Sequence, residues 1–265
     1  MNARMPAVAG SFYPENTEQL QRQVTGFLNE KLPENIVAKA LIVPHAGYCY
    51  SGVIAGRGFS YLQQNKSAIK RVILLGPSHR VALKGCAVPS SDIFTTPLGN
   101  IKVDQPSCNQ LQEKHLAICS DQAHQWEHAL EVQLPFLQSC LDDFELIPIV
   151  IGSCDPNLVS TLISALLKER TEETIVVVST DLSHFHPYQQ AQALDCDTIA
   201  QVLAFKTDIT PEDACGCYAL NGLLAVAKQQ AWQIKLISKA NSADSKSVVN
   251  LNKTQVVGYA SFILY

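Results

Sequence analysis

Charge is scarce in this sequence. Charged residues make up 17% of the 265 positions, against roughly 25% in an average soluble domain. The net charge is −4, and the 20 Lys and Arg residues form no basic cluster, which argues against nucleic acid or an anionic membrane surface as partner. Hydrophobic residues reach 47%, so we expect many elements to be buried on both faces, like strands in a sheet covered by helices.

Long apolar runs are also missing. No stretch approaches the about 18 apolar residues that span a bilayer, and residues 1–10 lack the apolar core of a secretion signal. The nine cysteines are an odd number without regular spacing, which favours buried or reactive thiols over a disulfide framework. These features predict a cytoplasmic protein that does not enter a membrane.

Short apolar runs alternate with stretches of helical periodicity, a pattern typical of an α/β fold. Most of the apolar runs are continuous, which favours interior strands of a parallel sheet. The predicted strands are Ala40–Val43, Arg71–Leu75, Glu145–Ile151, Thr174–Ser179, Ile234–Ser238 and Val256–Leu264. No repeat or linker divides the chain, so we expect one domain over residues 1–265.

Helices are expected between these strands, where capping residues or prolines precede a periodic apolar face. The predicted starts lie at Asn16 or Thr17, near Glu127, at Asp155-Pro156, at His186-Pro187 and at Thr210-Pro211. The stretch from Pro89 to Pro106 is consistent with either a hairpin or a long loop.

Three of the seven histidines follow the carboxyl end of a predicted strand: His45, His79 and His184. Because the ligand crevice of an open α/β sheet lies outside those ends, we expect the three imidazoles to converge. Imidazole binds zinc, iron, copper and nickel, so the pattern favours a divalent-metal pocket. The alternative is a set of loop histidines that cap helices or bond backbone carbonyls.

Carboxylates accompany two of the histidines. Asp181 lies three residues before His184 and is suited either to orient that imidazole or to cap a helix. Glu127, His128 and Glu131 lie on one predicted helix, and taken alone the two glutamates favour a solvated face.

The segment Asp213-Ala-Cys215-Gly-Cys217 lacks the CxxC spacing of zinc sites, so its cysteines are interpreted as buried small residues. There is also no GxxxxGK[ST] loop and no GxSxG elbow, which weakens nucleotide-dependent and serine-hydrolase interpretations.

The ordered motifs of the chain resemble those of the Memo family, nearly from end to end. They are Arg4-x-Pro6-Ala-Val-Ala-Gly10-Ser-Phe-Tyr13-Pro14, Val43-Pro-His45-Ala-Gly47-Tyr48, Gly76-Pro-Ser-His79, Glu127-His128 through Leu134-Pro135, Ser179-Thr-Asp181-Leu-Ser-His184, Asp213-Ala-Cys215-Gly216 and Val257-Gly258-Tyr259-Ala260. The resemblance implies a fold like that of the class III extradiol dioxygenases: a three-layer α/β/α sandwich around a mixed, largely parallel sheet, with a non-haem iron site.

The resemblance also implies roles for individual residues. His45 and His79 take the places of two metal ligands, His184 that of an acid/base histidine supported by Asp181, and His128 lines the pocket. The third ligand is a glutamate in the dioxygenases and a cysteine in animal Memo proteins.

The corresponding stretch of this chain offers either Asp244 or Ser245 as third ligand. We predict Asp244, because two histidines and a carboxylate favour Fe(II) with open positions. Ser245 in that place would leave a weaker site, with zinc or no ion.

Three functions remain open at this point. The first is an Fe(II)-dependent redox enzyme of the oxygenase type, with zinc or copper as alternative ions. The second is a non-catalytic module that binds a small molecule or peptide in the same pocket, and the third is a metal-assisted hydrolase. The resemblance further implies a radical-SAM protein and an AMMECR-type protein as partners in a shared modification pathway.

Overall fold

Apolar strands build one large mixed sheet with helices on both sides. The computed structural model describes residues 2–29, 36–248 and 251–265. Its strands are β1 (Ala3–Arg4), β2 (Ala40–Val43), β3 (Arg71–Pro77), β4 (Cys86–Val88), β5 (Ile93–Thr96), β6 (Gly99–Val103), β7 (Ile118–Cys119), β8 (Glu145–Ile151), β9 (Thr174–Ser179), β10 (His184–His186), β11 (Ile234–Asn241) and β12 (Val256–Leu264). Its α-helices are α1 (Thr17–Leu28), α2 (Tyr48–Phe59), α3 (Gln105–Glu113), α4 (Asp121–Gln125), α5 (His128–Glu131), α6 (Leu134–Cys140), α7 (Pro156–Arg170), α8 (Tyr188–Leu203) and α9 (Cys217–Gln229).

The strands follow the order β1-β5-β6-β8-β3-β9-β2-β12-β10, with β11 against β12 and β4 between β7 and β8. The centre, β8-β3-β9-β2, is parallel, whereas β12 runs antiparallel to β2. Helices α1, α2 and α6 contact one another, and α7 packs on α9. This is the α/β/α architecture that the sequence predicts.

The register of the central strands determines where the loops emerge. Val43 of β2 lies opposite Ser179 of β9, and Leu75 of β3 lies opposite Val178 of β9. Every residue of these three strands is buried, which explains why their sequences are continuously apolar. The carboxyl ends of β2, β9 and β3 therefore lie side by side at one edge of the sheet.

All six predicted strands are confirmed. Two are longer than predicted, because β3 continues to Pro77 and β11 to Asn241. The unassigned stretch between Pro89 and Pro106 contains the antiparallel hairpin β5-β6, in which Thr96 pairs with Gly99. Gly99 has a φ of 124°, a backbone conformation that favours glycine at this turn.

Most predicted helix starts are also confirmed. The Asn16 side chain accepts a hydrogen bond from the Gln19 amide (3.0 Å) and caps α1, as predicted from sequence. The helix predicted from Thr210-Pro211 is wrong. The Asp213 carboxylate accepts hydrogen bonds from the amide and hydroxyl of Thr210 (3.0 and 2.8 Å), which stabilises a turn, and α9 begins only at Cys217.

A buried carboxylate anchors the amino-terminal segment. Glu131 is fully buried and accepts hydrogen bonds from the amides of Ala7 (2.8 Å) and Val8 (2.9 Å) and from the Tyr13 hydroxyl (2.6 Å). It also pairs with the buried guanidinium of Arg4. The solvated face predicted for Glu131 is therefore wrong, because the amino-terminal segment covers it.

Within the residues that the structure describes, no helix has the length and apolar character needed to cross a membrane.

A glycine after β8 allows close backbone packing at the loop that leads from β3 to β4. A Cβ atom on Gly152 would lie 2.0 Å from the backbone carbonyl oxygen of Leu83. Because this is a backbone atom, it cannot move aside as the end of a flexible side chain could. We expect Gly152→Ala to lower the free energy of unfolding by about 1–3 kcal/mol, as overpacking does. Urea denaturation followed by circular dichroism measures the change.

Gly26→Ala in α1 is the matched control. A Cβ atom at this position meets no described heavy atom within 4 Å. Because alanine forms helices better than glycine does, we expect the free energy of unfolding to rise by up to about 1 kcal/mol. Equal stability of the two variants would contradict the packing argument.

Candidate metal centre

Three imidazoles converge at the carboxyl edge of the central strands. His45 follows β2, His79 follows β3, and His128 is the first residue of α5. Their ring centroids are 5.1 Å apart for His45 and His79, 5.5 Å for His45 and His128, and 4.7 Å for His79 and His128. One ligating atom from each ring lies within 4.8 Å of the other two. This compact group suits a divalent metal ion.

Hydrogen bonds around Ser179 determine the tautomer of His45. The Ser179 hydroxyl donates its single proton to the Ala129 carbonyl (2.6 Å) and accepts from the side-chain Nε2 of Gln133 (2.8 Å). It must therefore accept, rather than donate, at His45 Nδ1 (2.9 Å). The proton of the His45 ring lies on Nδ1, so the lone pair lies on Nε2 and is available to a metal.

A buried glutamate orients His79 in the same way. Glu127 Oε2 accepts from the His79 amide (2.6 Å), and Oε1 lies 2.9 Å from His79 Nδ1. Because a carboxylate only accepts, Nδ1 carries the proton and Nε2 the lone pair. Glu127 Oε1 also accepts from the Ala129 amide (2.9 Å) and caps the helix that carries His128.

The environment of Glu127 departs from the sequence prediction. Only 1% of the residue is exposed, so the solvated face predicted for it is wrong. Burial raises its pKa, but the hydrogen bonds and charge of His79 outweigh burial and lower the pKa to about 2. Glu127 is therefore an anion at neutral pH.

His128 contributes a ring nitrogen that the protein leaves unpaired. Among residues 2–29, 36–248 and 251–265, its buried Nδ1 has no hydrogen-bond partner, although Glu127 Oε1 lies 3.3 Å away. The Phe12 ring packs against the imidazole at a centroid distance of 4.6 Å. A buried nitrogen without a partner is costly. The three imidazoles, each with one nitrogen within 4.8 Å of the other two, fit a divalent metal ion.

Burial keeps the imidazoles of His45 and His128 neutral, which is the state that binds metals. Burial, followed by the proximity of His79, lowers the pKa of His45 to about 3. Burial, followed by the proximity of His45, lowers the pKa of His128 to about 4.

Asp181 lies at this site, and its Oδ1 accepts a hydrogen bond from the His45 amide (2.7 Å). Its burial raises the pKa of the Asp181 carboxyl. His184 is half-buried at the start of β10, opposite Val257 of β12. The structure thus places Asp181 against the residue that carries the first imidazole.

Asp244 occupies a different environment. Within the described part of the chain, the compact metal-binding group does not include it. Its Oδ1 accepts from the Tyr188 hydroxyl (2.8 Å), and its Oδ2 accepts from the Asn241 amide (2.9 Å) in a capping box. The Ser245 hydroxyl donates to the Cys49 carbonyl. In this arrangement the Asp244 carboxylate stabilises a 3-10 turn.

Cys215 contacts the site, beyond its predicted role as a buried small residue. Its Sγ lies 3.3 Å from His45 Nε2. Burial, followed by the Asp181 charge, raises the pKa of Cys215, so the thiol is protonated at neutral pH when no cation is near.

Sequence reasoning missed the roles of Ser179, Glu127 and Cys215. All three lie within motifs that carry the family resemblance, but nothing in the local sequence shows which atoms they contact.

The sequence pattern of Memo-like proteins matches residues 4–263. The chain belongs to the Memo family. A MEMO1 family protein of Aquifex aeolicus is 32% identical over 275 residues and 99% of both chains. Another, from Thermoplasma volcanium, is 31% identical over 269 residues, 98% of this chain and 97% of that one.

Among solved structures, an uncharacterized protein from Escherichia coli K12 superposes with a TM-score of 0.53 at 14% identity. The match covers 86% of this chain and 100% of that one. At this identity the likeness concerns the fold alone, and it agrees with the α/β/α architecture of this Memo family member.

Replacing Glu127 with Gln tests the orientation of His79. An amide loses the negative charge and presents donors on one side, so we expect metal affinity to fall about 10- to 100-fold, as for other partners of metal-binding histidines. Glu172→Gln, at an exposed position, is the control and should leave affinity unchanged. Isothermal titration with Zn²⁺ measures both, and equal affinities would show that Glu127 does not orient a ligand.

A pH dependence of stability follows from the buried neutral histidines. Burial lowers the pKa of His124, which is outside the metal group, to about 4. The unfolded chain, with histidine pKa values near 6.5, then binds more protons than the folded chain between about pH 4 and 6.5. The free energy of unfolding should therefore fall as pH drops through this window.

The variant His124→Gln isolates one contribution to that fall. Without His124, the fall in the free energy of unfolding between pH 6.5 and 4 should be smaller by about 3 kcal/mol. Urea denaturation of the metal-free protein at several pH values measures the slope. An unchanged slope would mean that His124 is not held neutral.

Proposed function

We propose that this Memo family member is a metal-dependent redox enzyme whose ion is held by His45, His79 and His128. The observation that carries the proposal is the convergence of three ring nitrogens within 4.8 Å. Two of the rings have their protons directed away from the centre by Ser179 and Glu127, which leaves their Nε2 lone pairs available to an ion.

We assign Fe(II) as the ion. Imidazole nitrogen is a suitable ligand for iron, and the Memo family resembles non-haem iron dioxygenases in fold. When bound, Fe(II) would supply one-electron redox chemistry at its open coordination positions. The radical-SAM and AMMECR-type partners and the cytoplasmic location stay predictions from sequence.

The side chains around the imidazoles have separate tasks in this proposal. His184 is half-buried and begins β10, three residues after Asp181, and we assign to it the exchange of a proton with a molecule bound at the centre. Asp181 holds the turn that carries His45 through the His45 amide. Phe12 covers one face of the His128 ring and excludes water from it.

The ligand set also favours a second candidate, a zinc-dependent hydrolase. Three histidines with an open fourth position form the ligand set of a catalytic zinc site. In that case the ion would activate water, and His184 would serve as the base.

Metal analysis of protein purified without oxygen tests the ligand assignment. We expect His45→Ala, His79→Ala and His128→Ala each to lose the iron that the parent protein retains, while circular dichroism shows the same fold. Asp244→Asn is the control and should keep its iron, because Asp244 caps a turn in the structure. If Asp244→Asn loses iron and His128→Ala keeps it, the two-histidine-one-carboxylate site is correct instead.

Activity measurements distinguish the candidate functions. For the redox enzyme we expect oxygen uptake with catechol-type compounds, abolished in His184→Ala although this variant still binds iron. Zinc together with ester hydrolysis would instead establish the hydrolase. A protein that binds no metal and keeps full ligand affinity in His184→Ala would be a binding module.

A further inference from the structure

A lysine and a cysteine meet in a cavity between α8 and β11. The Lys239 ammonium donates a hydrogen bond to Cys196 Sγ at 3.2 Å. Both residues are exposed, and both line a cavity of about 280 Å³ whose wall also includes Gln192, Asn241 and Tyr259. A nucleophilic sulfur and a nucleophilic nitrogen therefore lie in contact where small solutes can reach them.

Regular secondary structure holds these two residues in place. Cys196 lies in α8 and Lys239 in β11, which pairs with β12, and α8 packs against both strands. The Asp195 carboxylate, next to Cys196, accepts a hydrogen bond from the Ser183 amide (3.0 Å). A Cβ atom on Gly258 of β12 would lie 2.0 Å from Asp195 Oδ2, so the helix approaches the sheet closely at this point. Because both backbones are fixed, little conformational freedom is lost when the two side chains react.

The positive charge beside the sulfur distinguishes Cys196 from two other exposed cysteines, Cys49 and Cys119. An ammonium in contact with a thiol favours the thiolate, which is the form that peroxides oxidise. Partial burial raises the pKa of Cys49, and partial burial followed by the Asp121 charge raises the pKa of Cys119. We therefore expect a peroxide to react first at Cys196.

We propose that Cys196 and Lys239 are a modification site, at which a peroxide joins the two side chains through a sulfenamide bond. The peroxide first oxidises the sulfur by two electrons: the O–O bond breaks, one oxygen binds the sulfur as a sulfenic acid, and the other leaves as water. Lys239 then loses one proton to the solvent, and its amine attacks the sulfur. The S–N bond forms as the S–O bond breaks, and the second oxygen leaves as water. Sulfenic acids condense with backbone nitrogen in the same way.

The cross-link has two consequences for the molecule. It ties α8 to β11 beside Asp195, whose carboxylate holds the backbone of Ser183, the residue that precedes His184. It also keeps the sulfur of Cys196 from further oxidation, because a sulfenic acid that does not condense proceeds to the irreversible sulfinic and sulfonic acids. A thiol reductant opens the S–N bond again, so the modification is reversible.

Peptide mass spectrometry of the full chain tests the proposal, after treatment with hydrogen peroxide in the presence of a metal chelator. We expect the peptides that contain Cys196 and Lys239 to be joined, with a mass below their sum by two hydrogen atoms, and a thiol reductant to separate them. Cys196→Ser should form no cross-link. Lys239→Arg keeps the positive charge but has no reactive amine, so its Cys196 should accumulate as a sulfenic acid that dimedone traps.

Cys119→Ser and Lys206→Arg are the matched controls, because each changes another exposed residue of the same type, and Lys206 lies just beyond α8. Both variants should form the cross-link to the same extent as the parent protein. Oxidation of Cys49 or Cys119 that leaves Cys196 reduced would overturn the proposal, and so would a parent protein in which Cys196 stops at the sulfenic acid. A joined pair that retains one oxygen atom would overturn the direct S–N bond.

Discussion

Backbone hydrogen bonds between β2, β9 and β3 keep the carboxyl ends of these strands side by side. The loops that leave this edge carry His45, Asp181 and His79 within a few residues of the strand ends. Side chains that are distant in the sequence thus reach one point, because in a parallel sheet every such loop leaves from the same edge. The position of the candidate metal centre follows from this pairing.

Hydrogen bonds then determine which ring nitrogen of an imidazole carries the proton and which one is free to bind a metal. A neutral imidazole has one donor and one acceptor nitrogen, and Ser179 and Glu127 each take the donor side of one ring. Glu127 does more, since it also binds the His79 backbone and caps the helix that begins with His128. One buried carboxylate therefore positions two rings of the group. Such support is typical of metal-binding histidines.

Few charges are present in the chain, yet several of them are buried near this edge. Arg4 and Glu131 pair beneath the amino-terminal segment, and Glu127 and Asp181 bond backbone amides of the histidine loops. A buried charge is tolerated only when it is paired or hydrogen bonded. These carboxylates therefore hold the loops in place, and Glu131 in addition ties the amino-terminal segment to the helix of His128.

Six of the twelve described strands could be located from the residue pattern alone, because buried strands at the centre of a sheet require continuous apolar runs. The same pattern placed His45 and His79 after strand ends. Asp155, which caps α7 as predicted, was equally visible in the local sequence. The groups that complete the site could not be recognised from the local sequence. Whether Glu127 is solvated or buried, whether Asp244 meets a metal or caps a turn, and whether Cys215 touches His45 all depend on segments distant in sequence. Local patterns describe one element at a time, whereas these contacts arise where separate elements pack together.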